Sequence, residues 1–256
     1  MAAGESGTSN LSEVSPLDSE DFIPAGGFRL NNLRSLKFFE SAESSELYSC
    51  IAKTSVKLES IDLMWSSIHD SDILNLSRLT QLKCIRLFGA GQITDLSMSH
   101  LTNLSCLEEL QVGFCARLSP HCLEDIGEIQ TLRILDLDEF SEYTCRRYFK
   151  CLANLTNLHT LVISEMPGLT NSSLKVVAQL KRLRKLVIGS NDNFTEKGIR
   201  HLSQLPLLKT LDIFCDNVSD EDLEKHGLFD KVPDTDCWMD NAGHIMSYYG
   251  LLTPTV

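Results

Sequence analysis

A short phrase recurs eight times along this chain of 256 residues. Each copy has a leucine, two variable residues, an apolar residue, one variable residue and a second apolar residue. Successive copies begin 24 to 26 residues apart, at Leu33, Leu58, Leu82, Leu107, Leu132, Leu158, Leu183 and Leu208. Self-similarity at such a period is typical of repeat architectures, in which each unit stacks on its neighbours. The sequence therefore predicts a single solenoid.

The fourth unit shows the structure expected of each repeat. Leu110 and Val112 occupy alternate positions, which is the period of a short strand, whereas Leu123, Ile126 and Ile129 follow at a helical spacing. One such unit cannot bury its apolar residues alone, so the strands are expected to align as a parallel sheet. Helices are wider than strands and take the outer side. The predicted fold class is α/β, a horseshoe with strands on the concave face and helices on the convex face.

The junction between strand and helix carries its own signal. A Ser or Thr there can accept a hydrogen bond from the unpaired amides of the first helical turn. Six of seven junctions follow this rule and His69 departs from it; the six are Thr94, Ser119, Thr144, Thr170, Thr195 and Ser219.

The phrase and its period resemble those of the leucine-rich repeat family, over about residues 30–223. Within it, the run from Leu107 to Ser119, with Cys115, resembles the cysteine-containing subtype found on F-box proteins and related intracellular adaptors. The ending Ile93-Thr94-Asp95 is similar to that of the same subtype. The resemblance implies a protein-binding surface, and the subtype implies substrate recognition in ubiquitin ligation. No stretch of this sequence resembles an F-box.

Composition divides the chain into three parts. Residues 1–27 are rich in Ser, Gly, Glu and Pro and are predicted to form a disordered acidic tail. Residues 28–223 form the repeat array of about eight units. Residues 224–256 abandon the repeat and contain aromatic residues such as Trp238, so they are predicted to cap the last unit.

Charge and cysteine content limit the class of partner. A net charge of -12 argues against nucleic acid, because phosphate contacts require clustered Lys and Arg. No apolar run is long enough to predict a membrane span. Nine cysteines without a CxxC pair, and no signal peptide ahead of them, favour a cytoplasmic location, with the nucleus as an alternative. The oligomeric state is not predicted.

Side chains between the apolar residues of each phrase are expected to face the open concave side. The first four units place aromatic rings there beside charges, and the fifth places three carboxylates. Exposed rings next to polar groups are typical of interface anchors, although each ring can instead pack within the array. The carboxylates can receive a basic segment or a cation, or they can form a solvated face. The predicted partner-binding residues are Phe39, Asp62, Met64, Trp65, Arg86, Phe88, Phe114, Asp136, Asp138 and Glu139.

No pattern of catalytic or cofactor-binding residues is present. The sequence lacks GxSxG, a phosphate-binding GxxxxGK[ST] loop, HExxH and an EF-hand. Cys115, His121 and Cys122 do not have the spacing of a zinc site, so core packing is favoured over metal binding. The predicted function is therefore a protein-interaction module that is not an enzyme and has no cofactor or metal. The alternatives are an adaptor in ubiquitin ligation and an enzyme that uses the curved face as a pocket.

Overall fold

The computed structural model describes residues 32–38, 45–139, 146–166, 168–189 and 191–232. The predicted N-terminal tail, the predicted site residue Phe39 and the predicted cap from 233 onward lie outside these ranges. The boundaries of the three predicted parts therefore stay predictions.

Eight parallel strands form one sheet in the order of the chain, so each repeat contributes one strand next to that of the preceding repeat. The middle residue of the leucine phrase pairs in register from strand to strand, as in Leu110 beside Leu135. This arrangement confirms the predicted α/β solenoid. The strands are β1 Ser35–Lys37, β2 Ser60–Asp62, β3 Cys84–Arg86, β4 Glu109–Gln111, β5 Ile134–Asp136, β6 Thr160–Val162, β7 Lys185–Gly189 and β8 Thr210–Phe214.

A short helix follows each strand on the other face of the solenoid. The α-helices are α1 Ser45–Thr54, α2 Asp70–Leu76, α3 Asp95–Leu101, α4 Cys122–Glu128, α5 Arg146–Phe149, α6 Asn171–Val177, α7 Glu196–Ile199 and α8 Asp220–Lys225. Among the described residues, 3-10 turns supplement them at Lys150–Asn154, Leu202–Gln204 and Phe229–Lys231. Within the described ranges, no helix has the length and apolar character needed to cross a membrane.

The core lies between the sheet and the helices. Leu107, Leu110 and Val112 of the fourth phrase are fully buried, and they meet Leu123 and Ile126 from α4 in one continuous cluster. Burying each such side chain contributes about 1.5–3 kcal/mol. Because the equivalent residues of every repeat join this cluster, the array is held together along its length.

The helix starts follow the predicted capping rule at several junctions. Thr94 Oγ1 accepts a hydrogen bond from the Leu96 amide at 3.3 Å, and Ser219 Oγ accepts one from the Asp222 amide at 3.2 Å. α2 still begins directly after His69, because Asp72 at the third helical position accepts a hydrogen bond from the His69 amide at 3.0 Å. Thr144 lies outside the described ranges.

The last repeat continues into described residues of the predicted cap. Leu228 is fully buried in the common core, and Val232 packs against that core. These two side chains cover apolar surface at the end of the array.

Candidate functional site

The chain turns sharply away from the sheet three residues after the strand in five successive repeats. The turning residue has a left-handed backbone, with φ between 45° and 71° at Trp65, Gly89, Phe114, Glu139 and Glu165. Such a conformation costs a residue other than glycine about 1–2 kcal/mol. The backbone still hydrogen-bonds to the neighbouring repeat at this turn, since the Trp65 N–H donates to the Phe88 carbonyl at 2.7 Å. It also places the Trp65 and Phe114 side chains at the rim of the concave face, where each is 43% exposed.

Three rings from successive repeats form the aromatic cluster, which we define as Trp65, Phe88 and Phe114. The ring centroids are 5.4 Å apart for Trp65 and Phe88, 5.5 Å for Phe88 and Phe114, and 5.6 Å for Trp65 and Phe114. These separations are those of favourable edge-to-face and tilted aromatic pairs. Phe88 is only 2% exposed, so the cluster presents Trp65 and Phe114 on its outer side.

Two glycines make room for these rings. A Cβ atom on Gly89 would lie 2.6 Å from Trp65 Cδ2, and one on Gly113 would lie 2.6 Å from Phe88 Cε2. The same added atom on Gly113 would overlap the Asp138 carbonyl oxygen. Each ring therefore lies against the bare backbone of the next repeat, and the cluster directly adjoins β5.

Charged residues on the first half of the concave face neutralise one another. Asp62 forms an ion pair with Lys37 at 3.0 Å and lies 3.9 Å from Arg86. Arg86 also binds Glu109 at 2.8 Å, and Gln111 Nε2 donates to the same carboxylate oxygen at 3.1 Å. A network of internal pairs thus runs from β1 to β4. At the far end of the sheet, Lys185 lies 3.8 Å from Asp212.

The acids of the fifth repeat differ from this pattern. We define the carboxylate pair as Asp136 and Asp138. The Asp138 amide donates to Asp136 Oδ1 at 3.0 Å, and within the described ranges no Lys, Arg or His forms an ion pair with either carboxylate. Asp136 is 1% exposed, and burial raises its pKa to about 7. Burial and the nearby Glu165 carboxylate raise the pKa of Asp138 to about 6.

Ser164 on the next repeat adds an unsatisfied hydroxyl. Its Oγ is buried and has no hydrogen bond of good geometry among the described residues. The hydroxyl is close enough to the Asp138 carboxyl to lower the pKa of that acid slightly, against the effect of burial. The carboxylate pair and Ser164 therefore form a polar region whose hydrogen-bonding capacity is only partly used within the described fold.

Beyond this region, the concave face becomes apolar. Val162 and Val187 are fully buried and form a small cluster separate from the main core. They occupy the same repeat position as Asp136. At this repeat position, Asp136 is therefore followed by two apolar side chains before the next acid, Asp212.

The expected exposure of the concave residues was wrong for several of them. Asp62, Met64, Phe88 and Asp136 are buried. Strands of neighbouring repeats lie only about 5 Å apart, so long side chains can cover shorter ones on this face. Phe88 packs against both the Trp65 and Phe114 rings. Asp62 lies between Lys37 and Arg86. Arg86, Asp138 and Glu139 are half-buried.

The structure brings together most of the predicted site residues that it describes. The aromatic cluster and the carboxylate pair adjoin each other, since the Phe114 amide donates to the Asp138 carbonyl at 3.2 Å. Sequence patterns missed Glu109 and Ser164. A repeat alignment points to both, because each is a polar residue at a repeat position that faces away from the helices.

Three of the described cysteines, Cys115, Cys122 and Cys215, are buried in the core. Cys115 Sγ donates to the Leu87 carbonyl at 3.2 Å, and burial raises the pKa of this thiol to about 12. Seven described cysteines are free thiols. In the described part of the chain, no group of three or more His, Cys, Asp or Glu is arranged to hold a metal ion.

Comparison with known proteins agrees with this architecture. A family model described as a leucine-rich repeat region matches residues 76–231. Because this match spans more than half of the chain, the protein belongs to the leucine-rich repeat family. No curated protein sequence matches it closely enough to count as a relative.

Two solved structures of similar fold come from Listeria monocytogenes. An internalin (inlF) has 23% sequence identity and a TM-score of 0.54, over 72% of this chain and 55% of the internalin. An internalin C2 (inlC2) has 18% identity and a TM-score of 0.54, over 74% of this chain and 72% of that protein. This protein therefore spans about half the length of the first internalin. At these identities the likeness shows the fold alone.

Proposed function

We propose that this protein is a protein-interaction module that binds a protein partner on the concave face and catalyses no reaction. The observation that carries the proposal is the aromatic cluster. Trp65 and Phe114 are large, partly exposed and held rigidly by contact with Phe88. Rigid rings of this kind lose little entropy on binding and are common anchors of protein interfaces.

The surroundings of the cluster also suit an interface. The aromatic rim is next to internally paired charges on one side and to the carboxylate pair on the other. An apolar centre with a polar border is the usual arrangement in protein complexes. The partner is expected to bury an apolar side chain on the outer faces of Trp65 and Phe114.

Affinity capture from cell lysate tests the proposal. The full chain is compared with a Trp65→Ala plus Phe114→Ala variant. Truncating an anchor typically costs at least ~2 kcal/mol, or about 30-fold in affinity, so the variant should lose the captured partner. Binding of the identified partner is then measured with purified proteins.

A matched variant controls for the general loss of surface apolar area. Leu74 and Leu96 are 42% and 53% exposed, and they lie on α2 and α3 of the convex face. Leu74→Ala plus Leu96→Ala should capture the same partner as the unmodified chain. Equal capture by the aromatic variant would reject the concave face as the binding surface.

Substrate recognition in ubiquitin ligation is a second candidate. Cys115 favours it, because this residue occupies the cysteine position of the repeat subtype and is fully buried with a bonded thiol. Cullin-ligase subunits in the capture would support this role, and capture of partners without them would count against it.

We also propose a cytoplasmic location, with the nucleus as an alternative. The free thiols of the seven described cysteines support a reducing environment. Imaging of the tagged full chain in cells tests the location.

A further inference from the structure

The carboxylate pair raises a question about the partner's chemistry that the aromatic cluster leaves open. Other acids on the strands of the concave face have counter-charges in the protein itself, as Asp62 has Lys37 and Glu109 has Arg86. Asp136 and Asp138 have no such ion pair among the described residues. Buried carboxylates without a counter-charge are costly, so they are usually paired or hydrogen-bonded.

Ser164 points independently to a missing group. Its side chain is 1% exposed, and its hydroxyl lies beside the Asp138 carboxyl without a hydrogen bond of good geometry. A buried hydroxyl normally has a partner. A cation that reaches Asp138, the half-buried member of the pair, would bring its positive charge next to Asp136 and the Ser164 hydroxyl.

The neighbouring rings define the shape of such a donor. Gly113 brings the Phe88 ring and the Asp138 carbonyl into contact with the same stretch of backbone. An amine or guanidinium at the carboxylate pair would thus have its aliphatic stem beside the aromatic cluster. Lys and Arg pack their stems on apolar surface while the charged head stays polar, and aromatic faces attract the cation.

A metal ion fits the region less well. The carboxylate pair provides two acids, and no set of three metal-binding side chains occurs in the ranges that the structure describes. The three rings contact one another at 5.4–5.6 Å, so they leave no space between them for a cation. The cation must therefore come from outside, next to the cluster.

We infer that the partner places a lysine or arginine side chain on Asp138, next to Asp136 and Ser164 and directly beside an apolar side chain that packs on Trp65 and Phe114. This inference rests on the proposed function and specifies the partner as a segment with adjacent apolar and basic residues. Charge complementarity selects the basic residue, and the rings select the apolar one. The first half of the sheet adds no equivalent attraction, because its acids are already paired.

The test begins with a phage-displayed library of random peptides selected against the purified full chain. Selected peptides should be enriched in Lys or Arg next to large apolar residues. The tightest peptide is synthesised and its affinity is measured calorimetrically for the unmodified chain and for an Asp136→Asn plus Asp138→Asn variant. Removing one side of a buried charge pair should weaken binding about 30-fold or more.

A convex-face variant with the same charge change is the control. Glu124 and Glu128 are exposed on α4, and Glu124→Gln plus Glu128→Gln also removes two negative charges. The control should bind the peptide as the unmodified chain does. Equal weakening in both variants would mean that net charge alone matters, and it would overturn the inference.

The Trp65→Ala plus Phe114→Ala variant separates this inference from the proposed function. Loss of peptide binding in that variant, with no loss in the Asp136→Asn plus Asp138→Asn variant, would overturn the inference and leave the proposed function standing. Undiminished binding in both would overturn both. A circular dichroism melt confirms that each variant is folded at the temperature of the measurement.

Discussion

The Asp70 carboxylate accepts a hydrogen bond from the Thr94 hydroxyl in the following repeat at 2.7 Å. Asp70 is the first residue of α2, and Thr94 caps the start of α3. The same carboxylate accepts the Thr94 amide at 2.8 Å and the Ser97 hydroxyl at 2.5 Å. The start of α3 is thus held by the preceding repeat as well as by its own cap.

The same link recurs along the array. Asp95 accepts the Ser119 amide at 2.7 Å, and Asn171 Oδ1 accepts the Thr195 amide at 3.0 Å. Asp70→Ala should lower the free energy of unfolding by about 2 kcal/mol, because the loss of a charged acceptor leaves three donors unpaired. Asp70→Asn should cost less, since Asn171 performs the same task. Urea denaturation measures both changes.

Asp220→Ala is the control for the Asp70 substitution. Asp220 is the first residue of α8, but it is exposed and accepts no hydrogen bond from a later repeat in the described part of the chain. Its replacement should cost only the effect on its own helix end, a few tenths of a kcal/mol. Equal losses at Asp70 and Asp220 would contradict a stabilising link between repeats.

Gly89 should tolerate no side chain. Its φ is +71°, and a Cβ atom would lie 2.6 Å from Trp65 Cδ2. Gly89→Ala combines backbone strain with displacement of the ring and should lower the free energy of unfolding by about 2 kcal/mol or more. A Cβ atom on Gly91 would meet no atom of a non-adjacent residue within 4 Å, so Gly91→Ala should be close to neutral. Urea denaturation of the two variants measures the difference.

A double substitution separates the two contributions to the free-energy cost of Gly89→Ala, which are the steric overlap with Trp65 and the backbone strain. In a Trp65→Ala background the steric part disappears, and only the strain of about 1–2 kcal/mol should persist. An unchanged cost in that background would show that the Trp65 ring does not restrict Gly89.

Glu165 offers a stabilising substitution. Its φ of 49° is strained for a residue other than glycine, and its carboxylate raises the pKa of Asp138 by repulsion. Glu165→Gly should raise the free energy of unfolding by up to about 1 kcal/mol, since relief of strain exceeds the added chain entropy. Glu165→Gln removes the charge and leaves the backbone strain in place. Its effect on the free energy of unfolding therefore gives the contribution of charge repulsion alone. Destabilisation by glycine would contradict the strain argument.

Asp136 should make stability depend on pH near neutrality. Burial raises its pKa from 3.8 to about 7, so the folded protein binds this proton more tightly than the unfolded chain. The free energy of unfolding should therefore fall as the pH rises from about 4 to 7, by an amount on the order of 2 to 4 kcal/mol. The stability gained by Asp136→Asn should grow over the same range and level off above it.

Asp70 should show the opposite dependence of stability on pH, and it serves as a comparison within the same protein. Burial opposes ionisation there, but hydrogen bonds from Ser97 and Thr94 hold the pKa of Asp70 below its ordinary value of 3.8. Its stabilisation is present above pH 3.8 and is lost as the pH falls through the lowered folded value. The loss in Asp70→Asn should therefore be constant from about pH 5 to 8. A pH-independent effect of Asp136→Asn would show that the acid is not buried as described.

Sequence patterns predicted the elements that depend on local periodicity. The alternation of Leu110 and Val112 predicted β4, and the spacing of Leu123 and Ile126 predicted α4. The Ser and Thr positions predicted the side-chain caps at Thr94 and Ser219. The prediction was wrong at α4, where His121 rather than Ser119 precedes the helix, and at Thr195, whose side chain makes no cap hydrogen bond. Sequence patterns did not predict that Asp70 binds the cap of the following repeat, because that contact joins residues 24 positions apart.

The candidate site was only partly predictable for a related reason. The repeat register assigned Trp65, Phe88, Phe114 and the two acids to one face, but exposure on that face depends on neighbouring side chains. The ion pairs around Asp62 and the lack of one at Asp136 among the described residues emerge only when the strands are placed side by side.

By itself, the sequence determined the stacked architecture, since apolar residues at a constant period can be buried only by adding each unit to the next. Tertiary structure alone decided which concave side chains are covered, which carboxylates are paired and which rings are presented at the rim. Those properties depend on distances between residues of different repeats, and the residue spacing within one repeat does not determine these distances.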